Sequence, residues 1–139
     1  MTETPPNGPV LDPRMLLEAT PFAATVGIEF LALDPAEVTA RLPWAAHRCT
    51  VGGALHGGAL VTLADAAAGV CAYLNLPEGA STTTIELKVN FLRAVRGGVV
   101  TASARPLHAG RTVIVVQTDL RDEDGDRVAQ VTQTQAVLR

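Results

Sequence analysis

Asp65 is the side chain in this sequence whose surroundings most suggest chemistry. Leu63, Ala64, Ala66 and Ala67 flank it, so a carboxylate sits inside an apolar run. Burial without a partner raises a carboxyl pKa, and that tuning suits a general base or a nucleophile. His56, Gly57 and Gly58 open the same run. The first amides of a helix lack intrahelical acceptors and carry the positive end of its dipole. With glycines there, a ligand can approach those amides, which then form an oxyanion hole for acyl transfer. Taken singly, Gly-Gly is also a plain turn, His56 a structural histidine and Asp65 a cap or solvated residue. The acyl-transfer reading rests on the combination.

The element that must position them is a helix. From Gly57 to about Leu74 there is no Pro and no period-2 alternation, which predicts one helix about 27 Å long. Thr62 and Asp65 are its clearly polar side chains before Asn75, and a helix apolar all round is a buried one. Asn75 and Pro77 stop it. Along this helix Gly57 and Asp65 are about 12 Å apart, too far to touch one carbonyl. Two copies running antiparallel across a two-fold axis would bring Gly57 of one to Asp65 of the other. Catalysis of this kind requires a homodimer at least.

The remaining segments read as a tail, a short helix and strands. Residues 1–12 are rich in Pro and Thr and form a flexible tail, leaving residues 13–139 as a single domain. Asp12-Pro13 caps a short helix to about Ala19, stopped by Pro21. Val26 to Leu33 and Val38 to Leu42 read as strands around the Asp34-Pro35 turn. After the long helix, Ile85, Leu87, Val89 and Phe91 alternate with Thr84, Glu86, Lys88 and Asn90, a half-buried strand. Gly97-Gly98, Gly110 and the Asp122–Gly125 turn then separate Val99 to Leu107, Thr112 to Leu120 and Arg127 to Leu138. Three successive hairpins would make a meander. The expected fold class is α+β, a long central helix wrapped by an antiparallel sheet.

Composition narrows the partners. A length of 139 residues suits one domain, and 47% hydrophobic with 18% charged residues suits a globular chain. A net charge of −3 and no Lys/Arg block argue against nucleic acid. Met1 to Pro9 has no signal-peptide pattern, and Ala59 to Leu76 looks too weakly hydrophobic for a membrane span. A cytoplasmic chain is expected, with Cys49 and Cys71 reduced and without metal-ligand spacing. His47 and His108 fall in loops with no assigned role, and Cys71 reads as packing.

Three segments carry a family resemblance. His56-Gly57-Gly58 followed by Leu63-Ala64-Asp65, then Thr84 through Arg93, then Gly110-Arg111-Thr112, resemble hotdog-fold thioesterases of the phenylacetic-acid-degradation type. These belong to the hydroxybenzoyl-CoA thioesterase superfamily, and the resemblance runs from residue 22 to residue 138. It implies hydrolysis of an acyl-CoA without metal or organic cofactor, by a homo-oligomer that is a homotetramer, a dimer of dimers. Asp65 would be nucleophile or general base, the Gly57 amide would polarise the carbonyl, and His56 would shape the helix entrance. Gly58 would line the substrate site, and Thr84 would stand near the attacking water. Arg93 and Arg111 would reach CoA phosphates, although solvated surface arginines read the same way.

Two positions depart from the family pattern. Thr50 stands where an Asn that orients the water or carbonyl is usual, and Ala94 where Pro is usual. Thr50 keeps open a non-catalytic acyl-CoA-binding module. A hotdog hydratase or dehydratase, using His56 and Asp65 across a dimer, is the other alternative. The acyl group itself is not readable from one Trp, one Tyr and three Phe.

Overall fold

The Asp12 carboxylate accepts from the Met15 N–H at 2.8 Å, and Pro13 takes the first position of α1 (Pro13–Ala19). The structure, a computed structural model, describes residues 11–139, so the expected tail lies almost wholly outside the described residues. Pro21 ends α1 and also opens a second helix, α2 (Pro21–Val26), which terminates at Gly27 with φ 99°. This corrects the strand expected from Val26. The apolar run begins inside α2, and β1 (Glu29–Asp34) starts only after that left-handed glycine.

Strand β2 (Glu37–Pro43) follows, then a 3₁₀ turn (Ala46–Arg48) and the long helix α3 (Gly57–Leu74). The remaining strands are β3 (Ser81–Phe91), β4 (Val99–Ala109), β5 (Val113–Arg121) and β6 (Arg127–Leu138). All pair antiparallel in one sheet of order β1-β2-β4-β5-β6-β3. The meander is therefore β4 to β6 only. Gly97-Gly98 does not close a hairpin, because β3 pairs with β6 at one edge while β4 lies beside β2. A Gly-Gly marks a turn without fixing which strand the chain rejoins. The crossing segment is held on its way: Leu55 N–H donates to Val95 O and Trp44 N–H to Gly98 O, each at 2.8 Å.

Helix α3 touches all six strands, so the sheet curls around it. Leu60, Leu63, Ala64, Ala67, Ala68 and Cys71 form its buried side. Cutting fully buried Leu63 to Ala would cost about 2–5 kcal/mol. The opposite side is not covered: Gly58, Thr62, Asp65, Ala66, Gly69 and Tyr73 are half-buried or exposed. An all-apolar pattern thus overstated the wrapping. By length and composition α3 would also suffice to cross a membrane, against the expectation from its hydropathy; here it lies on the sheet.

One irregularity decides what faces α3. Between Thr84 and Glu86 the β3–β6 register slips by one residue, making Ile85 the extra residue of a β-bulge. Simple alternation puts Thr84 on the face opposite Leu87 and Val89. The bulge turns Ile85 outward, 59% exposed, and brings Thr82 and Thr84 onto the inward side with Leu87 and Val89.

Candidate active site

The approach to α3 is a tight turn. Thr50 N–H donates to Ala54 O at 2.8 Å, Cys49 and Leu55 form a bridge, and Gly52 and Gly53 take φ of 89° and 78°. The Trp44 indole N–H secures this turn by donating to Gly53 O at 2.9 Å. His56 follows as N-cap: its Nδ1 accepts from the Gly58 N–H at 2.8 Å. The His56 carbonyl takes the amides of Ala59 and Leu60 at 2.9 and 3.3 Å. Among the described residues, the Gly57 N–H is then the one first-turn amide left without an acceptor.

Both glycines sit where a side chain would meet a neighbour. A β-carbon on Gly57 would lie 2.9 Å from Phe91 Cζ, and one on Gly58 would lie 2.9 Å from His56 Nδ1. The Gly-Gly pair lies inside the helix, packed against Phe91 and His56.

Two turns along α3, half-buried Asp65 meets the sheet. Its Oδ1 accepts from Gln133 Nε2 at 2.9 Å and stands 3.4 Å from Thr84 Oγ1. Gln133 Nε2 also donates to Gln135 Oε1 at 2.9 Å, which receives the Thr84 hydroxyl at 2.7 Å. Gln135 Nε2 continues to Thr82 Oγ1 at 3.2 Å. The carboxylate is therefore not an unpaired charge in an apolar run; β3 and β6 present a polar cluster to it.

Three clefts surround these groups. Asp65 opens to one of about 590 Å³, with Leu16, Ala66, Gly69, Tyr73 and Thr82 among its walls. Gly57 lines another of about 410 Å³ with Leu60, Phe91, Leu92 and Arg93. His56, Gly58 and Thr62 face a third of about 550 Å³ together with Phe22 and His47. Within one chain, Gly57 and Asp65 do not share a cleft.

The other residues singled out are dispersed. Arg93 is 59% exposed and pairs with Asp126 at 3.1 Å and Asp122 at 4.0 Å, beside the Gly57 cleft. Arg111 is exposed in the β4–β5 turn, at the opposite end of the sheet, so the two arginines of one chain do not converge. Thr50 is exposed in the turn before α3. His47 belongs to the 3₁₀ turn, and His108, expected in a loop, extends β4 past a bulge. Buried Cys71 has its thiol pushed up from 9.0 to about 11 by desolvation, which disfavours a nucleophilic thiolate.

The thioesterase superfamily matches residues 52–129, from the turn before α3 through the start of β6. This chain belongs to the thioesterase superfamily. A relative from Haemophilus influenzae, provisionally named an esterase, is 36% identical over 99 residues, 71% of this chain and 72% of that one. A second, from Pseudomonas aeruginosa and also provisionally named an esterase, is 36% identical over 114 residues, 81% and 79% of the two chains. Among solved structures, a mutant of thioesterase PA1618 from Pseudomonas aeruginosa superposes with TM-score 0.87 at 32% identity, covering 94% of this chain and 96% of that one. Thioesterase HI1161 from Haemophilus influenzae gives TM-score 0.88 at 29% identity, covering 94% and 93%. The α+β hotdog architecture is that of this superfamily.

Sequence reasoning passed over two residues that surround Asp65 and Thr84, Gln133 and Gln135. The Thr-Gln alternation near the C-terminus looks like a solvated face. A signal was present, since both share the parity of Val131 and Val137, which pack into or against the core.

Proposed function

We propose that this chain hydrolyses acyl-CoA thioesters in a site shared between two copies of itself. One observation carries the reading: α3 offers a free amide at Gly57 and a held carboxylate at Asp65, opening to different clefts. Two α3 helices set antiparallel about a two-fold axis supply each carboxylate with the amide it lacks. The uncovered face of α3 and the unpaired outer side of edge strand β3 favour such a partner. A dimer of two such dimers follows the family resemblance. Placement with the phenylacetic-acid-degradation type rests on the His56-Gly57-Gly58 to Asp65 spacing.

In that site Asp65 takes a proton from water as the water oxygen adds to the thioester carbonyl carbon. The oxyanion is held by the N–H of Gly57 of the partner subunit. Collapse breaks the C–S bond, and the proton on Asp65 passes to the departing CoA sulfur. Thr84 stands beside Asp65, and by the family resemblance Thr50 and Gly58 would face the substrate from the start of the partner copy's helix. Arg93 and Arg111 serve CoA phosphates, and no cofactor enters the step. Two free thiols suit a cytoplasmic setting.

A hydratase is less well supported. The His56 Nδ1 is engaged as acceptor of the Gly58 N–H, and within one chain the ring lines a different cleft from Asp65. A non-catalytic acyl-CoA-binding module remains the second reading, favoured by the exposed Thr50 where the family places Asn. Thiol release from short, medium, long-chain and aryl acyl-CoAs, with light scattering for subunit number, tests the proposal. Turnover by a dimer or larger assembly supports it; binding without turnover selects the binding module.

A further inference from the structure

We propose that Gln133 is the positioning residue that fixes the Asp65 carboxylate for catalysis; this rests on Asp65 being the base. Gln133 is fully buried on β6, opposite Leu87 of β3 and Val116 of β5, where an apolar side chain would serve the core. Its Oε1 is buried with no hydrogen-bond partner among the described residues. An unsatisfied buried acceptor costs stability, so packing alone does not account for a glutamine here.

What the side chain does provide is direction. The two Nε2 protons have two acceptors, Asp65 Oδ1 and Gln135 Oε1, both at 2.9 Å. Thr84 has one hydroxyl proton and stands 2.7 Å from Gln135 Oε1 against 3.4 Å from Asp65 Oδ1. Its proton therefore goes to Gln135, and Gln133 is the principal donor to the carboxylate. Gln135 in turn is anchored through Nε2 to Thr82, so the amide plane of Gln133 is braced from behind. With Oδ1 occupied, Oδ2 is the oxygen left to take the proton from water. Thr82 and Thr84 reach this cluster only because the bulge at Ile85 turns them inward.

The test is Gln133→Met, which keeps the volume and removes both the donor and the orphaned acceptor. We expect kcat to fall about 10- to 10²-fold with KM nearly unchanged, the mark of a misplaced reacting group. The melting temperature should hold or rise, whereas a merely structural glutamine would lose stability and activity together. Should Gln133→Met fail to fold, Gln133→Glu keeps the shape and sets a second carboxyl against Asp65. Its pH profile should then move to higher pH. Wild-type kcat and pH profile in the folded variants, with Asp65→Asn inactive, overturn the positioning role and leave the Asp65 reading standing. An active Asp65→Asn overturns that reading, and the role of Gln133 with it.

Discussion

The ring of Phe91 occupies the space that a side chain on Gly57 would need, with Cζ 2.9 Å from the position of a β-carbon. The strand that ends in Phe91 thus crowds the first helical position, and both residues line the same cleft. Phe91 is 52% exposed, so its ring can swing aside at little cost to the fold. Gly57→Ala should fold with a near-native melting temperature while kcat drops, by up to about 10²–10³-fold if the amide is blocked outright. In a Phe91→Ala background the same substitution should cost less, and a double-mutant cycle measures the coupling. Strict additivity would mean that the two residues do not share a site.

Asp65→Asn keeps the shape of the side chain and removes its capacity to take a proton. Activity on the best acyl-CoA should fall about 10²–10⁴-fold, with circular dichroism unchanged. Retention of most activity would rule out Asp65 as the base.

His56 closes the helix entrance through Nδ1. His56→Ala should lower stability by about 1 kcal/mol, and His56→Asn should recover much of it, since asparagine caps well. Denaturant titration of the three proteins checks this. Equal midpoints would show that the cap contributes nothing.

Cys71 gives a pH signature. Its folded thiol is pushed up from 9.0 to about 11 by burial, so the unfolded chain loses this proton first as pH rises. The Cys71 contribution to stability is complete below about pH 9 and is lost progressively towards about pH 11. Urea unfolding across that range should show a decline that is shallower in Cys71→Ala. Parallel pH dependences would remove Cys71 as the cause.

Much of this is legible in the sequence. The helix from Gly57 to Leu74, its stop at Asn75 and the strand β6 follow from local pattern, whereas the capping role of His56 does not. What escaped was set by distant parts of the chain. No window around Thr84 announces that Ile85 will be skipped in the pairing with β6, yet that skip turns two threonines towards Asp65. The partner of β3 is chosen some forty residues later, so Gly97-Gly98 passed for a hairpin. Gln133 and Gln135 hid in a polar-looking alternation whose phase, counted from Val131, was the apolar one. The second helix was missed because Pro21 reads as a stop for α1 and equally as a start for α2.

Trp44 holds the turn ahead of α3 through Gly53, and it is the sole tryptophan of the chain. The sole tyrosine, Tyr73, stands on the wall of the Asp65 cleft. The two natural chromophores therefore sit one at each end of the working helix. Indole emission reports on the turn that presents the amide, and phenol absorbance reports on the cleft that holds the carboxylate. Occupancy of either end can be followed optically in the unlabelled protein.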